Sequence, residues 1–192
     1  MWLIFAALSG LVLLTRELTL LDPSSFLRQR YLAIPWLMVL HGVPGALALT
    51  LGAFQFSDSL RKRYLALHRA MGYVYIVSAA ISAPVAVMVA YRLPIPSLLF
   101  ASIIQACGWL VTTATALYCV RLGNIAQHRE WMMRSYPFAA VFVLVRAILA
   151  IPAIGRMGVE AIIPTVWSVI ALAGIVPSFV IAWQKLPRRR RA

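Results

Sequence analysis

Leu65–Tyr91 reads LALHRAMGYVYIVSAAISAPVAVMVAY, and this stretch decides the class of the protein. Beyond Arg69 it carries no charge as far as Tyr91, which is enough to cross a bilayer, since a helix needs about 20 apolar residues to do so. Working outward, similar stretches lie at Met1–Leu21, Ile34–Phe56, Ser97–Val120, Tyr136–Ile154 and Ala161–Trp183. The first is interrupted by Arg16 and Glu17. A signal peptide is its alternative reading, but the basic residues that precede the apolar core of a signal are missing. The pattern therefore predicts an all-α polytopic transmembrane bundle of six spans, a single domain over residues 1–192, with a four-helix core from spans two to five.

Composition agrees. The chain is 62% hydrophobic and 12% charged, with a mean hydropathy of +0.87, against roughly 45–50% and about 25% in soluble domains. Cys107 and Cys119 stand in one apolar stretch, about 18 Å apart along a helix at 1.5 Å per residue, too far to form a disulfide with each other. No zinc-type cluster, phosphate-binding glycine loop or Ser/His/Asp arrangement is present.

A net charge of +13 suggests nucleic acid in a soluble protein, but here no soluble domain carries it. The basic residues instead fall on one face of the topology: Arg61, Lys62, Arg63 and Arg69 between spans two and three, Arg121, Arg129 and Arg134 between spans four and five, and Lys185 with Arg188–Arg191 in the basic tail 185–192. Fewer lie opposite, at Arg16, Arg28, Arg30, Arg92 and Arg156. The positive-inside rule then places both termini in the cytoplasm, in the cytoplasmic membrane, with the tail against anionic lipids.

Ionisable residues inside a bilayer are costly and mark candidate sites. His41 shares a helical face with Gly45, Ala48, Gly52 and Gln55, and His68 with Gly72, Tyr75 and Ala79. Small residues at such steps serve either close helix packing or a slot for a flat ligand such as haem or quinone. Depth separates the histidines. His41 lies toward the outer side, while His68 and His128 both lie at inner ends, so only the latter two can share a metal. About 2 Å separates an imidazole nitrogen from its metal. Around His128 the run His128-Arg129-Glu130-Trp131-Met132-Met133-Arg134-Ser135-Tyr136 reads as an interfacial anchor or as a site whose arginines hold propionates or another anion. Arg146, well inside the fifth span, needs a partner or an aqueous cavity.

The second span with His41, Gly45, Ala46, Leu47, Gly52, Gln55 and Phe56 resembles the bacterial membrane proteins grouped as domain of unknown function 2306. So do Leu67-His68-Arg69 with Gly72 and Tyr75, and His128-Arg129 with Trp131-Met132 and Arg134-Ser135-Tyr136. The resemblance covers about residues 31–150. The layout is also distantly similar to the ascorbate-dependent di-haem cytochromes b, which implies haem b on His68 and His128, with iron as the metal. Two bis-histidine haems need four histidines and this chain has three, so an outer haem would need another ligand opposite His41.

Two functions are expected from these residues. One is a b-type haem or quinone-linked electron-transfer protein with an inner bis-histidine site. Tyr75 and Arg69, Arg129 or Arg134 would then lie beside the haem, and His41, Gln55 and Arg146 would serve a second cofactor or quinone. The other is a non-catalytic membrane subunit or assembly factor, whose partner is a larger membrane complex. A transporter is disfavoured, because no carboxylate lies in mid-membrane and no matched pair of broken helices stands out.

Overall fold

The computed structural model describes residues 32–92 and 95–186. Its helices are α1 (Pro35–Phe54), α2 (Asp58–Arg63), α3 (Leu65–Tyr91), α4 (Pro96–Arg121), α5 (Ile125–Leu149), α6 (Pro152–Gly155) and α7 (Val159–Gln184). No strand occurs among the described residues. Five helices, α1, α3, α4, α5 and α7, are long and apolar enough to cross a bilayer. The sixth expected span, Met1–Leu21, lies outside the described residues, as do Arg16, Arg28, Arg30 and the arginine tail.

Most of the expected spans match a helix to within two residues at each end. The fifth does not. It was expected to begin at Tyr136, but α5 already starts at Ile125. The polar run around His128 reads as a loop by hydropathy, yet it forms the first turns of a helix. Asn124 caps that helix, its Oδ1 accepting from Gln127 N at 3.1 Å. Just before it, Gly123 takes a positive φ of 75°, a conformation open to glycine at little cost, and this reverses the chain within a few residues. His128, Arg129 and Arg134 are therefore helical residues with fixed directions.

Helix packing defines a square. α1 packs on α3, α3 on α4, α4 on α5 and α5 on α1, with α3 and α5 facing each other across a diagonal. α7 lies outside the square against α5 and α4. The four-helix core of spans two to five is thus present. Its contacts are made by small residues: Ala48, Ala79, Ala101 and Ala116 are fully buried, as expected where no hydrophobic effect drives helices together and close backbone approach must supply the attraction. Pro44, Pro84 and Pro137 sit inside α1, α3 and α5, which membrane helices tolerate because neighbouring groups satisfy the freed carbonyls.

The antiparallel order collects Arg61, Lys62, Arg63, Arg69, Arg121, Arg129, Arg134 and Lys185 at one end of the bundle, called here the basic end. Ion pairs stitch it. Asp58 pairs with Arg61 and, at 3.5 Å, with Arg129. Glu130 pairs with Lys185 at 2.7 Å and with Arg134 at 3.7 Å.

Candidate functional site

Three polar layers cross the bundle at heptad spacing. In a helix, residues seven apart lie about 10.5 Å apart on nearly the same face, drifting by about 20°. α1 presents His41, Ala48 and Gln55; α3 presents Ser82, Tyr75 and His68; α5 presents Phe142, Ser135 and His128. Each set contributes one residue to the far layer, one to the middle layer and one to the layer at the basic end.

The middle layer fixes where these faces point. Tyr75 Oη and Ser135 Oγ meet at 2.7 Å across the diagonal of the square. Trp109 Nε1 donates to Tyr75 Oη at 3.0 Å, Thr113 Oγ1 lies 2.7 Å from Ser135 Oγ, and the Thr113 hydroxyl also reaches Trp109 O at 2.7 Å. All four side chains are buried. The small-residue slot beside them is filled. A Cβ at Gly52 would stand 2.8 Å from the Tyr75 ring and 2.9 Å from the Tyr136 ring. Tyr136 donates its hydroxyl to Leu49 O at 2.9 Å. At Gly45 a Cβ would meet Ser82 Oγ at 3.2 Å.

In the far layer His41 Nδ1 lies 3.1 Å from Ser82 O. Ser82 Oγ donates to His41 O at 2.9 Å. The imidazole sits edge-on to Phe142, with centroids 6.0 Å apart, and the Arg146 guanidinium stacks over the same ring at 4.0 Å. His41 and Arg146 therefore flank one aromatic ring. Gln55 does not join them: it lies 14 residues from His41, at the other end of α1.

The layer at the basic end is different. His68 and His128 each stand two turns from the Tyr75–Ser135 contact, on the same faces. His128 Nδ1 lies 2.8 Å from Ala116 O on α4. A carbonyl only accepts, so Nδ1 carries a proton, and in a neutral ring the lone pair is then on Nε2. Two buried side-chain polar atoms among the described residues find no hydrogen-bond partner within the chain, Gln55 Nε2 and His68 Nδ1. Both belong to this layer. Gln55 is buried, with Oε1 3.4 Å from where a Cβ at Gly72 would stand, and Gly72 is one turn from His68.

The arginines divide. Arg61 and Arg129 share Asp58. Arg134 turns toward α7, with Nε 3.3 Å from Ser178 Oγ and its guanidinium over Trp131 at 4.9 Å. Ser82 and the Ala116 carbonyl were not singled out as site groups in the sequence. Continuing each histidine's stripe in steps of seven reaches Ser82 and Ser135. Nothing in the sequence points to a main-chain carbonyl.

A family model described as a predicted membrane protein, DUF2306, matches residues 38–185. The chain belongs to this family. The match runs past residue 150 to include α7, which the resemblance in the sequence did not reach. Comparison with curated proteins and with solved structures gives no match.

A metal-ligating histidine characteristically donates its other N–H to a carbonyl, which sets its tautomer and orientation, and His128 does so. His68 offers a second imidazole on the opposing helix, and Arg69 and Arg129 lie on the first turns of α3 and α5 for anionic groups. The donor types present at the basic end are those that a bis-histidine haem would use. No group of three or more His, Cys, Asp or Glu suited to a metal ion occurs among the described residues.

Proposed function

We propose that this DUF2306 member is an integral membrane b-type haem or quinone-linked electron-transfer protein, with its cofactor held between His68 and His128. The observation that carries the reading is the His128 Nδ1 contact to the Ala116 carbonyl at 2.8 Å, because it leaves Nε2 as a ligand atom in the same layer as a second, partly buried imidazole. Haem bound there would supply a one-electron couple. The chain's own residues orient the two rings, and Arg69 and Arg129 offset the charge of propionates by charge-assisted hydrogen bonds. Tyr75 and Ser135, joined two turns away, close the site from the bundle interior. His41 and Arg146 around Phe142 are the candidate quinone or second-cofactor position at the far layer.

The basic end faces the cytoplasm in this reading, by the excess of Lys and Arg in its short connections, and Arg188–Arg191 rest on anionic lipids of the inner membrane. The test is the absorption spectrum of the purified protein supplied with haem. A Soret band that shifts on dithionite reduction and is lost in His68→Ala and His128→Ala supports the assignment; a spectrum without such a band sinks it.

A second reading is favoured by a specific feature. The Gly52 slot is filled by Tyr75 and Tyr136, and the middle layer satisfies its own hydrogen bonds, so the bundle holds together through side chains alone. That suits a non-catalytic subunit of a membrane complex. Co-purification with a larger assembly, unchanged in the double His68→Ala/His128→Ala variant, would favour it over electron transfer.

A further inference from the structure

Gln55 was grouped in the sequence with His41, yet the structure sets it in the layer of His68 and His128. Three observations bear on its role. It is buried at 9% exposure; its amide lies against α3 at Gly72, one turn from His68; and its Nε2 and His68 Nδ1 are the two buried side-chain polar atoms among the described residues without a partner in the chain. A buried polar group left unsatisfied is costly, so two in one layer point to a shared solution.

We infer that Gln55 is the positioning residue for His68: its amide oxygen accepts from His68 Nδ1–H through one buried water, and so leaves the lone pair of His68 on Nε2. The amide's oxygen and nitrogen are alike in shape, and hydrogen bonding sets which end points where. Turning the amide end for end puts an acceptor where Nε2 now stands. Through that water His68 then has from α1 an acceptor like the one His128 has directly in the α4 carbonyl of Ala116. The two imidazoles are held in the same tautomer by partners on the two remaining helices of the square, and all four core helices contribute to one layer. The role toward iron rests on the electron-transfer reading above. The role toward His68 stands independently of it.

The experiment uses the full chain in lipid nanodiscs, haem-free, with 15N-labelled histidine; the three histidines are assigned by single replacement. The expected result is His68 neutral with its proton on Nδ1, a bias lost in Gln55→Leu and kept in Gln55→Glu, whose carboxylate also accepts. A wild-type His68 protonated on Nε2, or a tautomer unchanged in Gln55→Leu, overturns the inference. Haemin titration then separates the two proposals. With the tautomer as expected and no Soret band, Gln55 still positions His68 while the haem reading fails. With haem bound, Gln55→Leu weakens its affinity about 10- to 100-fold, the usual loss on removing a partner of a metal-ligating histidine, and Gln55→Glu restores it. Equal affinity in all three proteins overturns the role toward iron.

Discussion

The middle layer and the layer at the basic end are built from the same kind of material and differ in one respect. Tyr75, Trp109, Thr113 and Ser135 satisfy one another, each side chain buried and each polar atom partnered. Ten ångströms or so along the bundle by helical rise, Gln55 and His68 keep polar atoms that the chain does not satisfy. Intramembrane polar groups that pair internally act as glue. Those that do not pair are the ones available to something else. The far layer sides with the middle one, because His41 and Ser82 exchange hydrogen bonds. Of the three layers, only the basic end has polar capacity to spare.

The largest effect should come from breaking the packed layer. In Gly52→Val the first added carbon already stands 2.8 Å from the Tyr75 ring and 2.9 Å from the Tyr136 ring. Overpacking of this kind costs about 1–3 kcal/mol or more, and here two rings must move, so loss of the folded bundle in a detergent-unfolding titration is expected. Ser135→Val comes next. It removes the hydroxyl that Tyr75 and Thr113 share and should destabilise by about 1–2 kcal/mol, near the upper end measured for hydrogen bonds in membranes, without altering any haem spectrum. If Ser135→Val abolished haem binding while the bundle stayed folded, the division between a structural layer and a ligand layer would be wrong.

His128→Ala inverts that pattern. It loses the contact to Ala116 O, worth about 0.6 kcal/mol as an average membrane hydrogen bond, so thermal unfolding of the haem-free protein should hardly change while the Soret band disappears. The smallest effect is expected for Arg129→Ala. Its pairing with Asp58 at 3.5 Å joins two side chains that are more than half exposed, and such pairs contribute about 0–1 kcal/mol. Stability should stay within about 0.5 kcal/mol of wild type, and a larger loss would mean that the ion pairs, rather than the middle layer, hold the basic end together.

Much of this arrangement is legible along the chain, and the rest is missing for identifiable reasons. The stripes His41–Gly45–Ala48–Gly52–Gln55 and His68–Gly72–Tyr75–Ala79 are visible because helical period is a local property. Which stripe faces which is not. Small residues beside a histidine suit a ligand slot and close packing equally, and only the Tyr75 and Tyr136 rings over Gly52 decide that this slot is packed. Hydropathy also misplaced the start of α5. A window average sees the charges of Arg129, Glu130 and Arg134 but not the Asn124 cap that starts a helix before them.

The sequence by itself determined that this is a helical membrane protein, where four of its described spans lie to within two residues, which end of the bundle is basic, and that His68 and His128 share that end while His41 does not. Each follows from composition, apolar length or counting residues along one helix. Only the tertiary structure decided that Tyr75 meets Ser135 across the diagonal, that Arg134 turns to α7, that Ala116 offers its carbonyl to His128, and that Gln55 belongs with His68. Those pairings depend on the rotation and axial offset of separate helices. In a bilayer these are set by side-chain fit and hydrogen bonds between helices, which no single helix encodes.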